Sequence, residues 1–144
     1  MATEYDTIID AALGEITDRR LHEMAECDKG QVMTAHLKAA MADFAFVALR
    51  SGGYDLGKYD DTLRQIEDDL DNEAIHILAL GVIAHWSNAK LFNANLYRNA
   101  MNTKDFQQFA PANLLGALDA LNSRINRQYR QRVINWSYER AVDD

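Results

Sequence analysis

Cysteine, proline and uninterrupted apolar sequence are all scarce in this chain. Cys27 is the single cysteine, which excludes an intramolecular disulfide framework and a zinc site built from cysteines. No run of about 18 or more apolar residues occurs, so no segment is expected to span a membrane. The first residues lack the basic and apolar regions of a signal peptide. The sequence therefore predicts a protein that is made or assembled in the cytosol.

What is present is an ordinary globular composition. The 144 residues are 48% hydrophobic and 26% charged, which excludes a chain disordered throughout and a low-complexity repeat. A chain of this size buries roughly 68% of its unfolded surface when it folds. We therefore expect one domain over 1–144 with a single core.

The net charge of −7 is distributed unevenly. Residues 1–73 hold 17 acids and 7 bases, whereas residues 74–144 hold 5 acids and 8 bases. An acidic total argues against a protein that binds nucleic acid through many phosphate contacts. The asymmetry indicates head-to-tail or side-by-side association of copies. Plain variation of charge along a solvated surface is the alternative.

Apolar residues recur at intervals of three and four, which predicts an all-α bundle of about four to five helices. A first helix is expected over 4–16 with Thr3 as its N-cap, followed by a turn or two of helix near 21–24. A clearer helix is expected over 30–50, because its apolar face is wide and two glycines follow it.

The middle of the chain combines an irregular segment with its most apolar helix. Residues 51–61 predict a surface loop, and residues 62–71 predict a short helix or an extended connection. Asp71 is the expected N-cap of the central helix, in which Gly81 would allow close approach of a neighbour. A break in this helix is expected near residues 87–88.

The last helix is predicted to be long. A loop is expected over 102–110, and Pro111 suits the first position of a helix that extends to about Tyr138. Because such a helix measures about 42 Å, the segment 124–144 is expected to project and bind a partner. The alternatives are a kink, an earlier end, or a helix that lies along the whole bundle.

The chain offers little catalytic chemistry. No two of its four histidines lie four residues apart, and the single Glu-x-x-His pattern, at Glu73 and His76, lacks the second copy that a di-iron bundle needs. Cys27 lies between acids, which do not favour a reactive thiolate. The acids of 67–71 lack the spacing of a calcium loop. The sequence therefore predicts no catalytic, cofactor or metal site, and no enzyme.

Three arginines form a basic stripe on the last helix, at Arg124, Arg127 and Arg130. Nucleic acid is one ligand for such a stripe. On an acidic protein the carboxylates of a partner subunit are the favoured ligands.

Several blocks of the sequence resemble a known class of proteins. An acidic cap followed by an apolar helix and a Gly-x-x-x-x-Trp pattern occupies Leu70–Trp86, and further blocks lie at Thr103–Phe106, Phe109–Leu115 and Ile134–Tyr138. Together these resemble the small helical head–tail connector, or adaptor, proteins of tailed bacteriophages. The resemblance covers roughly residues 60–140.

The resemblance implies a structural protein of the virion, assembled in the host cytoplasm. Such proteins form a ring, commonly of twelve copies, below the portal, where they extend the DNA channel and dock the next neck or tail protein. An acidic channel would let DNA slide without specific binding. No membrane contact is implied.

The same reading assigns two sets of interface residues. The portal or partner interface is expected at the end of the last helix: Arg130, Val133, Trp136, Tyr138 and Arg140. Lateral contacts between copies in the ring are expected at two oppositely charged groups: Arg124 and Arg127, with Glu67, Asp68 and Asp69.

Two other functions remain open at this point. A tail-completion or terminator protein belongs to the same structural module and would bind the tail tube. A small cytosolic helical regulatory or binding protein belongs to a different class and predicts a monomer or dimer. An enzyme would have to use Glu73, His76 or His85.

Overall fold

The computed structural model describes residues 2–100 and 112–143, with side chains over 2–94 and 114–139. Over these residues the chain forms five α-helices and three two-residue strands. In chain order the elements are β1 (Thr3–Glu4), α1 (Tyr5–Gly14), α2 (Arg19–Cys27), α3 (Gln31–Val47), β2 (Tyr59–Asp60), β3 (Gln65–Ile66), α4 (Asn72–Ala100) and α5 (Ala112–Asp143). The predicted all-α bundle with a long C-terminal helix is confirmed.

Helix α4 is the centre of the bundle, as its sequence predicts. Its side chains from Ile77 to Ala84 are buried on every side of the helix, so neighbours are required all round it. Helices α1, α3 and α5 supply them by packing directly against α4. The remaining core comes from the inner stripes of those three helices.

Gly81 marks a close approach of three helices in the bundle. A Cβ placed at Gly81 would lie 2.7 Å from the Cβ of Ala40 on α3 and 3.0 Å from Cζ of Tyr129 on α5. Three helices therefore meet at one residue that has no side chain, as expected from the sequence.

The predicted break at residues 87–88 is wrong, because α4 continues through it. The hydroxyl of Ser87 donates to the carbonyl of Ala84, so it is satisfied within the helix. Asn122 of α5 donates to Ser87 Oγ at 2.8 Å and to Asn88 Oδ1 at 2.6 Å. These polar residues therefore join α4 to α5 instead of ending α4.

The N-terminal expectation for Thr3 is also wrong. Thr3 lies in β1, where its buried hydroxyl donates to the carbonyl of Asp68 and accepts from the N–H of Leu70, both at 2.9 Å. The hydroxyl thus fastens the first residues to the start of α4. Asp71 caps α4 as predicted, since its carboxylate accepts from the N–H of Ala74 at 2.8 Å.

Between α3 and α4 the chain forms a small acidic hairpin, which we define as residues 55–71. Its strands β2 and β3 pair antiparallel, and β3 also pairs with β1, giving the strand order β1-β3-β2. The extended connection is therefore the correct alternative for 62–71, while the loop predicted over 51–61 contains β2. Neither β2 nor β3 has the alternation of apolar and polar residues that predicts a strand.

Ion pairs and hydrogen bonds fasten the acidic hairpin to α1 and α3. Asp61 accepts from the Tyr5 hydroxyl at 2.9 Å and pairs with Lys38 Nζ at 2.6 Å. Arg64 reaches Thr34 Oγ1 and Asp6 Oδ1, both at 3.0 Å. Burial and the Asp61 carboxylate raise the pKa of Tyr5 well above its ordinary value, so this phenol remains a donor.

Helix α3 continues for one further turn beyond its regular α-helical part. After Val47 it continues as a π turn over Ala48–Gly52, and Gly53 stops it with a φ of 73° in the left-handed region. The expected bounds of 30–50 therefore hold to within a few residues, and the expected glycine stop is confirmed.

The predicted projection of the last helix is wrong at least as far as Trp136. Trp136 is fully buried, packing edge to face against Phe44 of α3 with ring centroids 5.6 Å apart. Its ring also covers Gly52. Helix α5, about 48 Å long at 1.5 Å per residue, thus lies along the bundle through this level. The loop predicted over 102–110 and the position of Pro111 lie outside the described residues.

Candidate interaction surfaces

The outer face of α3 is apolar and largely uncovered within the described chain, although the Arg50 guanidinium lies 5.8 Å from the centroid of the Phe46 ring. Its large side chains are exposed, with 47% of Val32, 69% of Phe46 and 57% of Leu49 accessible to solvent. Ala35 and Ala42 are exposed between them, and Ala39 is half-buried. We call these residues the α3 seam: Val32, Ala35, Ala39, Ala42, Phe46 and Leu49. A contiguous exposed apolar stripe is typical of a binding surface.

Helix α3 is apolar on both sides, because its opposite face fills the core. As a result Gln31–Gly52 is the one described segment that is long and apolar enough to cross a membrane, with a mean hydropathy of 1.4. Two charged residues near its middle are bound to other elements: Lys38 to Asp61 of the acidic hairpin, and Asp43 to His85 of α4 at 2.6 Å. Inserting α3 would break these pairs or bury them in lipid, which is costly.

The acidic hairpin exposes part of its charge and uses the rest internally. Asp68 is half-buried, and its carboxylate accepts from the N–H of Asp55 at 2.7 Å. Glu67 and Asp69 are exposed, and neither has an ion pair among the described side chains. Of the three acids predicted to make lateral contacts, Glu67 and Asp69 are therefore available to a partner.

The three arginines of the predicted basic stripe likewise divide into one that the fold uses internally and two that are exposed. Arg124 is half-buried and donates to the carbonyl of Glu15 at 3.2 Å, so it holds α5 to the end of α1. Arg127 is exposed and has no ion pair among the described side chains. Arg130 is exposed, and its one contact among the described residues is with the carbonyl of Asn126, at 3.4 Å.

The residues predicted to bind the portal are not one surface. Trp136 belongs to the core, which corrects its role to a structural one, whereas Val133 is half-buried against that core and keeps part of its side chain accessible. Tyr138 is 72% exposed and, with Arg130, remains accessible. The side chain of Arg140 lies outside the described residues.

Polar clusters lie where the helices meet. Asp28 accepts from Trp86 Nε1 at 2.8 Å and from Lys90 Nζ at 2.9 Å, which joins the end of α2 to α4. Burial acts to raise the pKa of Asp28, but the Lys90 and Trp86 hydrogen bonds outweigh it and lower that pKa. Where α3 meets α5, burial and the neighbouring Asp43 raise the pKa of Tyr129.

His36 of α3 lies near Asp28, His85 and Lys90, and it makes the stability of the fold depend on pH. Burial, together with the nearby His85 and Lys90, lowers its pKa below the ordinary 6.5, against the opposing effect of Asp28. The unfolded chain therefore takes up this proton more readily than the folded chain. The stability that neutral His36 contributes is complete above pH 6.5 and is lost as the pH falls through the folded pKa.

We therefore expect the urea midpoint of unfolding to fall as the pH is lowered from 7.5 to 5.5. The variant His36→Gln is expected to show a shallower fall over the same interval, because it removes the group that takes up the proton. Urea titrations followed by circular dichroism at several pH values make the comparison. An equal slope in both proteins would contradict this assignment.

Among the remaining candidates for chemistry, His76 serves in a contact between elements. His76 Nε2 lies 3.1 Å from Glu15 Oε1, so the Glu-x-x-His pattern directs its histidine to the residue that follows α1. Cys27 is exposed. Over the described residues, no group of three or more His, Cys, Asp or Glu side chains is placed to hold a metal ion.

The α3 seam is an exposed apolar surface that the sequence analysis did not identify. Its signal is present in the sequence, as apolar residues at alternating steps of three and four between Val32 and Leu49. The apolar positions of the buried face lie between them, so the two stripes read as one wide face. The chain matches no protein-family model, no curated protein and no solved structure.

Proposed function

We propose that the chain is a structural protein of a tailed-bacteriophage particle, a head–tail connector that forms a ring below the portal. The observation that carries the proposal is the separation of exposed charge, with Glu67 and Asp69 on the acidic hairpin and Arg127 on α5. A ring of identical subunits needs two different and complementary surfaces on each subunit. These two groups supply such a pair.

The two charged groups lie too far apart to neutralise each other within one subunit. Tyr129 packs beside Gly81, and Asn122 bonds Ser87, so Arg127 lies level with residues 82–84 of α4. That level is about 15–20 Å along α4 from the end of the acidic hairpin. At physiological salt, charges separated by more than about 8 Å are largely screened, so each group is free to attract a neighbouring subunit.

The rest of the proposal follows the sequence resemblance. The ring, commonly of twelve copies in such proteins, extends the DNA channel, and the acidic total lets DNA pass without specific binding. Arg130 and Tyr138 are the accessible residues for docking the portal or the next neck protein. The chain acts in the virion after assembly in the host cytoplasm, with no cofactor, no membrane contact and no catalytic step.

Reversing either charge is expected to weaken ring assembly. In Arg127→Glu or Asp69→Lys, attraction at each lateral contact becomes repulsion, which costs about 1 kcal/mol per contact, or about fivefold in its equilibrium constant. The double variant, which exchanges the two charges, is expected to regain the wild-type behaviour. Sedimentation velocity of the concentrated chain, with negative-stain imaging, measures the fraction in rings.

Arg132→Glu is the matched control, because it makes the same charge change at another exposed position of α5. It is expected to assemble like the wild type. The lateral contact is wrong if the single variants assemble normally or if the double variant fails to recover. A wild-type chain that never exceeds a dimer, even with portal protein added, contradicts the ring.

A further inference from the structure

An apolar side chain stands at the tip of the acidic hairpin. Leu63 lies in the turn between β2 and β3 and is 64% exposed. The hairpin's other exposed large apolar residue, Tyr59, already has a partner, since Lys38 Nζ lies 3.6 Å from the centroid of its ring. Leu63 is therefore the apolar group that the hairpin offers to another molecule.

The turn that carries Leu63 is fixed on both sides. Before it, Asp60 Oδ1 accepts from the N–H of Thr62 at 2.8 Å and from that of Leu63 at 3.0 Å. After it, Arg64 has a φ of 54°, in the left-handed region that a residue with a Cβ rarely adopts. The bonds of its guanidinium to α1 and α3 hold this strained conformation. The backbone of Leu63 is thus already ordered, which lowers the entropic cost of binding through it.

Exposed acids follow Leu63 along the outer side of the hairpin. Ile66 is fully buried and Leu70 is 5% exposed, whereas Glu67 and Asp69 between them are exposed. This alternation is that of an extended segment, whose successive side chains point to opposite sides. Glu67 follows Leu63 by four residues, which span no more than about 14 Å. The hairpin therefore presents an apolar tip with acids a short distance behind it.

The outer face of α5 carries the same pair of features with the opposite charge. Ile134 is 47% exposed and follows exposed Arg127 by seven residues. Seven residues make nearly two full turns, so the two residues lie within about 20° of each other around the helix and about 11 Å apart along it. Helix α5 thus presents a base and an apolar group on one line, at a spacing that the hairpin can match.

We infer that Leu63 of one copy packs on Ile134 of the next copy in the ring. Glu67 and Asp69 of the first copy then pair with Arg127 of the second. The inference rests on the proposed function, because it adds an apolar contact to the lateral contact proposed there. The apolar contact fixes the direction in which the hairpin lies along α5, since a hairpin turned the other way would place its leucine away from Ile134.

Charge complementarity favours a second copy as the occupant. Residues 55–71 hold seven acids and two bases, whereas residues 120–138 hold four arginines and no acid. A hairpin laid along α5 therefore meets no like charge from an acid on that helix. Such complementary potentials steer two surfaces together and suppress other orientations.

Disulfide cross-linking tests the pairing. In a chain with exposed Cys27 replaced by serine, Leu63→Cys and Ile134→Cys are made as separate variants and mixed under oxidation. The mixture is expected to give covalent dimers, and each variant alone is expected to give few, because the contact joins two different positions. A mixture of Leu63→Cys with Phe92→Cys is the matched control, since Phe92 is also 64% exposed, and it is expected to give few dimers.

Substitution by serine measures the strength of the contact. Leu63→Ser and Ile134→Ser are each expected to weaken the association of copies by about tenfold per contact, because each removes apolar surface that the contact buries. The double variant is expected to lose little more than either single variant, since both remove the same contact. Phe92→Ser is the matched control and should associate like the wild type. Sedimentation velocity of the full chain measures association, and circular dichroism checks that each variant is folded.

The outcomes separate this inference from the proposed ring. If Arg127→Glu weakens assembly while both serine variants assemble like the wild type, the charged contact stands and the apolar contact is wrong. Cross-linked dimers from a chain that forms no rings, even with portal protein added, support the contact between copies and contradict the ring. A mixture without cross-links overturns the contact. If Leu63→Ser abolishes portal binding but keeps the association of copies, the portal is the occupant and the inference is wrong.

Discussion

Replacing Trp136 by alanine is expected to lower the free energy of unfolding by about 3–5 kcal/mol, the usual cost of removing a buried tryptophan. The indole is fully buried, stacked edge to face on Phe44, and 6.2 Å from the ring of Tyr54 between centroids. It also covers Gly52, where a Cβ would come within 2.7 Å of it. The substitution therefore opens a cavity that three elements share.

Tyr138→Ala is the matched control for Trp136→Ala. Tyr138 lies two residues further along α5 and is 72% exposed, so its loss is expected to cost less than about 0.5 kcal/mol. Urea unfolding followed by tryptophan fluorescence of Trp86 and by circular dichroism gives both values. If Trp136→Ala keeps wild-type stability and loses only partner binding, the residue is a docking contact and its place in the core is wrong.

Because Trp136 lies in the core, truncating α5 is a poor test of partner binding at its end. Deleting residues 130–144 would remove Trp136 from the core, so the truncated chain is expected to unfold, whatever partner it binds. Surface substitutions at Arg130 and Tyr138 avoid that loss and test docking alone. A truncation that leaves the melting temperature unchanged would contradict the packing described here.

Replacing Gly81 by valine is expected to cost about 3 kcal/mol or more. The first added carbon already falls 2.7 Å from Ala40 Cβ and 3.0 Å from Tyr129 Cζ, and valine adds two further carbons. Neither neighbour retreats easily, because Ala40 has no flexible side chain and Tyr129 is held between α3 and α4. Overpacking of this kind forces the helices apart.

Two comparisons make the Gly81 prediction specific. Gly116 of α5 has nothing within 4 Å of its would-be Cβ, so Gly116→Val is expected to change stability by less than about 0.5 kcal/mol. The double variant Ala40→Gly with Gly81→Ala removes the contact with Ala40 Cβ but keeps the one with Tyr129 Cζ at 3.0 Å, so its loss of stability should be smaller than that of Gly81→Val but not zero. Thermal unfolding measures all three; equal losses at Gly81 and Gly116 would contradict the close approach.

Much of the fold was predictable because its helices carry strong local signals. The apolar run from Ile77 to Ala84 predicts a helix buried on all sides, and Asp71 marks its start. The small sheet was not predictable, since its strands are two residues long and show no alternation. Thr3 illustrates the difficulty, because a threonine before a helix suits an N-cap, yet here it bonds residues 68 and 70, far along the chain.

The functional surfaces were only partly predictable from sequence. Charge composition identified the acidic segment and the arginines of α5, but not which of them the fold uses internally, as it does Asp68 and Arg124. Trp136 was misassigned because an aromatic residue near the end of a long helix suits an interface as well as a core. The α3 seam was missed because only the fold shows which of two interleaved apolar stripes faces solvent.

The most direct test of the central claim, that the chain is a structural part of a phage particle, is quantitative mass spectrometry of purified particles from infected cells that express it. The account predicts that the chain co-purifies with intact particles, at a fixed number of copies per portal ring that matches the symmetry of the connector. A chain found only in the soluble lysate, with none in particles that contain portal and tail proteins, would contradict it.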